Sequence, residues 1–145
     1  MYKFTTKWAD FDPNKHMRHS AYNDFAAEAR IRFFNEHGID MNYFTEHQIG
    51  PILFKEVTTF LREINSGEDI KVSIALKGVS KNGERWIISH QLYKENGVKA
   101  AQIEVYGAWI DINTRNLTSP PESMIGILTS LQKTTDFEII LLKNE

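Results

Sequence analysis

From residue 20 to residue 38 the apolar positions recur at helical spacing. Tyr22, Phe25, Ala26, Ala29 and Phe33 make one stripe, while Ala27, Ile31 and Phe34 fall off it. The pattern predicts a long helix covered on more than one side, its alanines permitting close approach to another element. Ser20 is placed to cap the start and Gly38 follows the last turn. Residues 39–48 read as a second, short helical or irregular segment. The period then changes to two. Ile70, Val72, Ile74 and Leu76 alternate with Lys71, Ser73, Ala75 and Lys77, as in a half-buried strand. Asn82-Gly83 and Asn96-Gly97 are hairpin signals. They join strands over 70–79, 85–93 and 99–110 into an antiparallel meander. A strand over 52–61 precedes it and ends near Asn65-Ser66-Gly67, and 2–9 reads as a further short strand. Gly107, inside the last meander strand, is expected to mark a bulge. Pro120-Pro121-Glu122-Ser123 opens a C-terminal helix, and the apolar run 137–142 fits either a late strand or a docked tail.

One strand, one long helix and four antiparallel strands predict an α+β domain, a twisted sheet with the helix packed on one face. An open sheet leaves unpaired edge groups, which is a reason to expect association into a homodimer or homotetramer. The 145 residues suffice for a single domain with its own core. Without cysteine the chain has no disulfide and no thiolate nucleophile. A net charge of -2 argues against nucleic acid as a partner. The start of the chain has no apolar signal-like run and no segment reaches membrane-spanning length, so the expected location is cytoplasmic, with no membrane partner.

Candidate chemistry concentrates in residues 8–22, Trp-Ala-Asp-Phe-Asp-Pro-Asn-Lys-His-Met-Arg-His-Ser-Ala-Tyr. A carboxylate there can act as base or nucleophile, and helix-start N–H groups can hold a carbonyl oxygen as it gains charge. Asp12 precedes Pro13 and also suits a plain turn. Asp10 is expected to shape the loop, since alternation sends neighbouring side chains to different sides. Asn14 suits a turn; His16 and His19 suit structural roles, orientation of Asp12 or contact with substrate. The i,i+3 spacing of the two histidines is no metal site by itself, and none is expected. Tyr22 heads the apolar stripe. Glu28 is a rival carboxylate, although its i,i+4 spacing to Arg32 favours a helix ion pair. Trp86, Ile88, His90 and Leu92 share one strand face, so His90 reads as a satisfied, half-buried histidine. Lys77, Lys81, Lys99, Arg85 and Arg62 lie near strand ends and could meet an anionic group; the bland reading is a solvated hairpin.

Asp10-Phe11-Asp12-Pro13, followed by Tyr22 and then by Glu28-Ala29-Arg30, resembles the hotdog-fold thioesterases, specifically the 4-hydroxybenzoyl-CoA thioesterase-like branch. The resemblance spans roughly residues 2–125. It implies a hotdog fold, a long central helix wrapped by an antiparallel sheet of about five strands, with 126–145 as an appended helix or strand tail. It also implies dimers joined sheet to sheet, active sites at the subunit interface, and hydrolysis of an acyl-CoA or acyl-carrier thioester without a cofactor. Carried over by position, Asp12 is the base or nucleophile and the His19 backbone N–H polarises the carbonyl. Asn14, His16, Tyr22, Lys81 and Arg85 fall to substrate binding, and Glu28 is the alternative catalytic carboxylate. The chain departs from the pattern at Lys15, where many relatives have Gly, and Asn14 with His16 resembles the Asp-x-Asn-x-His form of acyl-carrier-protein thioesterases. Two other functions share the fold. A thioester hydratase or dehydratase resembles Asp-x-Asn-Pro-x-His, whose register this chain does not match. The other is a non-catalytic acyl-binding dimer.

Overall fold

The computed structural model describes residues 1–143. Helix α1, His19–Glu36, carries the predicted stripe, and Tyr22, Phe25, Ala26, Ala29 and Phe33 are all buried. Ala21, Ala26 and Ala29 have no exposed surface, so the helix backbone lies close against the sheet. The start of α1 differs from expectation. Arg18 is the flanking residue, with no side-chain cap, because the helix begins at His19 and places Ser20 inside its first turn, where the hydroxyl accepts from the Arg18 guanidinium. The Glu28–Arg32 pair is absent too. Arg32 turns toward the first strand, its guanidinium 4.3 Å above the Phe4 ring and Nη1 donating to the Lys3 carbonyl at 3.2 Å. Ala27, Ile31 and Phe34 are not covered by a second layer but line an open cavity.

Seven strands form one sheet: β1 Tyr2–Phe4, β2 Ile49–Phe60, β3 Ile70–Val72, β4 Ala75–Ser80, β5 Arg85–Tyr93, β6 Lys99–Asp111 and β7 Lys133–Ile140. Its centre is β5. On one side β6 and then β2 follow, antiparallel; on the other, β3 and β4 lie along β5, with β1 outside β3 and β7 outside β4. The count exceeds the expected five for two reasons. The alternating segment breaks at Ser73, whose Oγ accepts from the Gln91 N–H in place of a ladder carbonyl. The apolar C-terminal run is a strand, parallel to β4. The first strand is shorter than expected, because 8–10 turn into a short 3-10 helix. A second α-helix, α2 Met41–His47, lies beside α1, and α3 Glu122–Thr129 packs over the β4–β5 turn. Among the described residues no helix is long and apolar enough to cross a membrane. Among the described residues the outer edge of β2 has no strand partner, and Leu53, Phe54, Val57 and Phe60 are exposed along it.

Gly107 is not itself the bulge; the register shifts opposite it, between Leu53 and Lys55. Its requirement is steric. A Cβ there would stand 2.3 Å from the Trp86 ring and 2.7 Å from the Ile52 carbonyl oxygen. Gly107→Ala is therefore expected to cost about 2–3 kcal/mol in urea unfolding, since neither backbone nor indole can withdraw.

His90 is fully buried rather than half-buried, and it is satisfied. Nδ1–H donates to the Ser73 carbonyl at 2.9 Å, and Nε2 accepts from Arg30 Nη1 at 3.1 Å. Burial, then the Arg30 charge, pushes its pKa down to about 3, so the ring is neutral. The unfolded chain binds a proton here below the usual value of 6.5 while the folded one does not. Stability is therefore lost as pH falls below that value. Between pH 7 and 5 the protein should lose about 2 kcal/mol more than His90→Gln, measured by denaturant titration.

Candidate active site

The loop ahead of α1 is fixed through its backbone. The Asp12 N–H donates to the His16 carbonyl at 2.8 Å, Met17 N–H to Ile64 at 2.8 Å, Arg18 N–H to Asp10 at 2.8 Å, and Ser66 N–H to Lys15 at 2.9 Å. The loop is thus sewn to the turn after β2. That turn is held from behind by Glu68, which accepts from the Asn65 and Glu95 N–H groups and from Lys94. Burial alone would push the Glu68 carboxyl up, but these hydrogen bonds and the Lys94 charge bring it below its ordinary value. Asp10 shapes the loop, as expected: it is 2% exposed, and its two oxygens accept from the Lys7 N–H and ammonium.

Asp12 is half-buried. Its Oδ1 accepts from the N–H of Asn14 at 2.8 Å and of His16 at 3.2 Å, which fixes the carboxylate in a local turn. Among the described residues Oδ2 has no partner. Lys15 closes this turn at φ 65°, the left-handed region. The position where many relatives have Gly thus keeps a glycine-like backbone although a side chain occupies it. The N–H groups of His19 and Ser20, at the open start of α1, have no acceptor among the described residues, since the first backbone bond there is Ala21 N–H to Arg18. The positive end of the helix dipole adds to their pull on a developing oxyanion.

Asp12, Asn14, His16, His19 and Tyr22 line one cavity of about 660 Å³, together with Phe60 at the end of β2. Tyr22 meets the Phe60 ring edge-on at 5.0 Å. Burial pushes the Tyr22 hydroxyl up, partly offset by its bond to the Ile64 backbone. His16 Nε2 lies 3.1 Å from the Glu63 carboxylate. Glu28, Lys81 and Arg85 do not line this cavity. Glu28 is exposed on α1; Lys81 and Arg85 flank the β4–β5 turn, with the Arg85 guanidinium 5.3 Å above Phe54. Arg62, expected from its charge near a strand end, also lies in the cavity wall, and beside it stands Glu63, which the sequence did not mark. No motif marks Glu63, and only the docking of two loops brings it in. A second cavity, about 540 Å³ and largely apolar, opens farther along α1 between Ala27, Ile31, Phe34 and Leu53. The sequence marks Ala27, Ile31 and Phe34 as off the core stripe but not as a pocket.

Lys15→Gly is expected to stabilise the protein by about 1 kcal/mol in thermal or urea unfolding, by relieving the left-handed strain. A loss of stability would show that the Lys15 side chain contributes more than its backbone costs.

Comparison with known proteins agrees with this geometry. The family model of the thioesterase-like superfamily matches residues 6–128. The curated proteins contain no match. Among solved structures, the Staphylococcus aureus protein SAV2348, determined in complex with CoA, superposes with a TM-score of 0.85 at 24% identity, covering 94% of this chain and 87% of that one. Slr0204 from Synechocystis, a 1,4-dihydroxy-2-naphthoyl-CoA thioesterase, gives 0.80 at 13% identity, covering 90% and 95%. The DHNA-CoA thioesterase of Staphylococcus aureus gives 0.79 at 14%, covering 89% and 87%. With a long helix on an antiparallel sheet, hotdog-fold neighbours and a family match over most of its length, the chain belongs to the thioesterase-like superfamily.

Proposed function

We propose that the protein hydrolyses acyl-CoA thioesters to a carboxylic acid and free thiol, with Asp12 as the reacting carboxylate and the α1 start as the oxyanion site. One observation supports this above the others: Asp12, whose Oδ2 has no partner among the described residues, and His19, at the start of α1, line the same cavity. The thioester carbonyl oxygen accepts from the His19 and Ser20 N–H groups, and its carbon becomes more electrophilic. Two routes fit. In one, Asp12 attacks the carbonyl carbon, the C–S bond breaks, the thiolate takes a proton from water, and water then opens the mixed anhydride to restore the carboxylate. In the other, Asp12 takes a proton from a water whose oxygen attacks the same carbon, and the proton passes to the departing sulfur. Neither route needs a cofactor.

Asn14, His16 and Tyr22 border the thioester in this reading. Lys81 and Arg85 contact coenzyme A phosphates only if a second copy of the chain brings them to the cavity. The open, apolar edge of β2 beside the cavity supports a homodimer formed along that edge, since pairing there would cover Leu53, Val57 and Phe60. Pairing of dimers would give the homotetramer.

Asp12→Asn should lower kcat by at least about 100-fold in a thiol-release assay with a good acyl-CoA, at unchanged melting temperature. Full turnover in that variant would contradict the assignment. A change at the enoyl-thioester absorbance band without thiol release would instead identify a hydratase.

A further inference from the structure

Among the described residues Arg30 is a cation without an ion-pair partner. It lies three turns along α1 from His19 on the same helix face, about 16 Å away by helix rise. Its one hydrogen bond among the described residues is to His90 Nε2, and His90 is neutral with its other nitrogen committed to Ser73. No carboxylate among the described residues forms an ion pair with it. Burial pushes the guanidinium pKa down; Glu56, on the exposed edge strand, opposes that shift only through its field. The side chain is half-buried, and most of its N–H fork has no acceptor among the described residues.

The side chain forms part of the wall of the 540 Å³ cavity, which is otherwise built from apolar groups such as Ile31, Phe34, Leu53 and the rings of Trp86 and Trp109. Both indole N–H groups are buried without an acceptor. Among the described residues, the buried polar atoms left unmet in this lining are thus donors, while Asn35 and Asn42 are exposed at its rim. The carboxylate in its lining, Asp40, is exposed and accepts from the Tyr43 N–H. Both this cavity and the Asp12 cavity are walled by α1 on one side and β2 on the other. The contacts Tyr22–Phe60 and Asn23–Thr58 show β2 running along the helix between them.

We propose that this cavity takes a carboxylate at the far end of the acyl chain, clasped by Arg30, so that the preferred substrates are monothioesters of dicarboxylic acids. The inference rests on the thioesterase reading of the adjoining cavity. A helical side chain leans toward the helix N-terminus, so the guanidinium stands about 10 Å from the α1 start, the span of a chain of about six to eight carbons. The ligand carboxylate replaces the missing counter-ion and meets a planar fork that matches its two oxygens.

The test compares adipoyl-CoA with hexanoyl-CoA, equal in carbon count, by thiol release. The wild type should favour adipoyl-CoA by about 30-fold in kcat/KM, and Arg30→Met should bring it down to the hexanoyl level while hexanoyl turnover stays within about threefold. Arg30→Lys, which keeps the charge and loses the fork, should fall between them. Calorimetric titration with adipate and with hexanoate reads the site without hydrolysis: the wild type should bind adipate more tightly, and Arg30→Met should not. If adipate binds through Arg30 but neither thioester releases thiol, the thioesterase reading fails and this site stands. Equal turnover of the two thioesters with no preference for adipate overturns the inference and leaves hydrolysis intact. Loss of all activity in Arg30→Met with a fall in sedimenting mass also overturns it, because Arg30 would then be paired across subunits.

Discussion

The close approach of α1 to the sheet is the constraint from which the rest follows. Three alanines with no exposed surface bring the helix backbone down onto the strands, and Tyr22, Phe25 and Phe33 lock its rotation by filling the core around them. Once that stripe faces the sheet, helical geometry leaves no freedom for the neighbouring face, roughly 100° around the axis. His19, Asn23, Ala27, Arg30, Ile31 and Phe34 fall on that face in order. They look along β2, which reaches the end of its length at Phe60 beside Tyr22. A single packing arrangement therefore aligns an open helix start, a polar contact to the edge strand, a half-buried cation and a largely apolar cavity on one line.

The second requirement is a rigid carboxylate. Asp12 is positioned by backbone amides rather than by neighbouring charges, one oxygen anchored and the other without a partner. The loop that presents it is itself held by the 63–68 turn, which depends on the Glu68–Lys94 pair. Strain is accepted at Lys15, in the middle of this arrangement, where the backbone is left-handed. Arg18 contributes at the junction: it stands at the cap position without an acceptor side chain, and its guanidinium ties Ala9 to Ser20. The N–H groups that a capping side chain would fill stay open.

The elements that rest on local periodicity were legible in the sequence. The α1 stripe, the meander with its two glycine turns, and the inward face of β5 with His90 follow from spacing alone. The interruptions were not, because their causes are long-range. The break at Ser73 is made by Gln91 and His90 on the neighbouring strand. The Glu28–Arg32 spacing fitted an ion pair, yet the Phe4 ring and the Lys3 carbonyl draw Arg32 elsewhere. For the site, Asp12, Asn14, His16, His19 and Tyr22 were readable because they are contiguous in sequence, and the structure brings them to one cavity. Glu63 arrives from another loop, while Arg62, Lys81 and Arg85 were chosen for charge near strand ends, a criterion blind to which end of the sheet they occupy; Arg62 alone of these three reaches the cavity. Arg30 was visible as part of a family-like motif, but its missing counter-ion appears only once the core is assembled.

The central claim is that the open start of α1, beside Asp12, holds the thioester carbonyl. Amide NMR of the protein bound to an acyl-CoA analogue with a methylene in place of sulfur tests it most directly, since that ketone keeps the carbonyl and resists hydrolysis. The account predicts that the His19 and Ser20 amide protons move strongly downfield on binding. Unmoved resonances at both residues, with the analogue bound and its ketone carbon insensitive to Asp12→Asn, would contradict it.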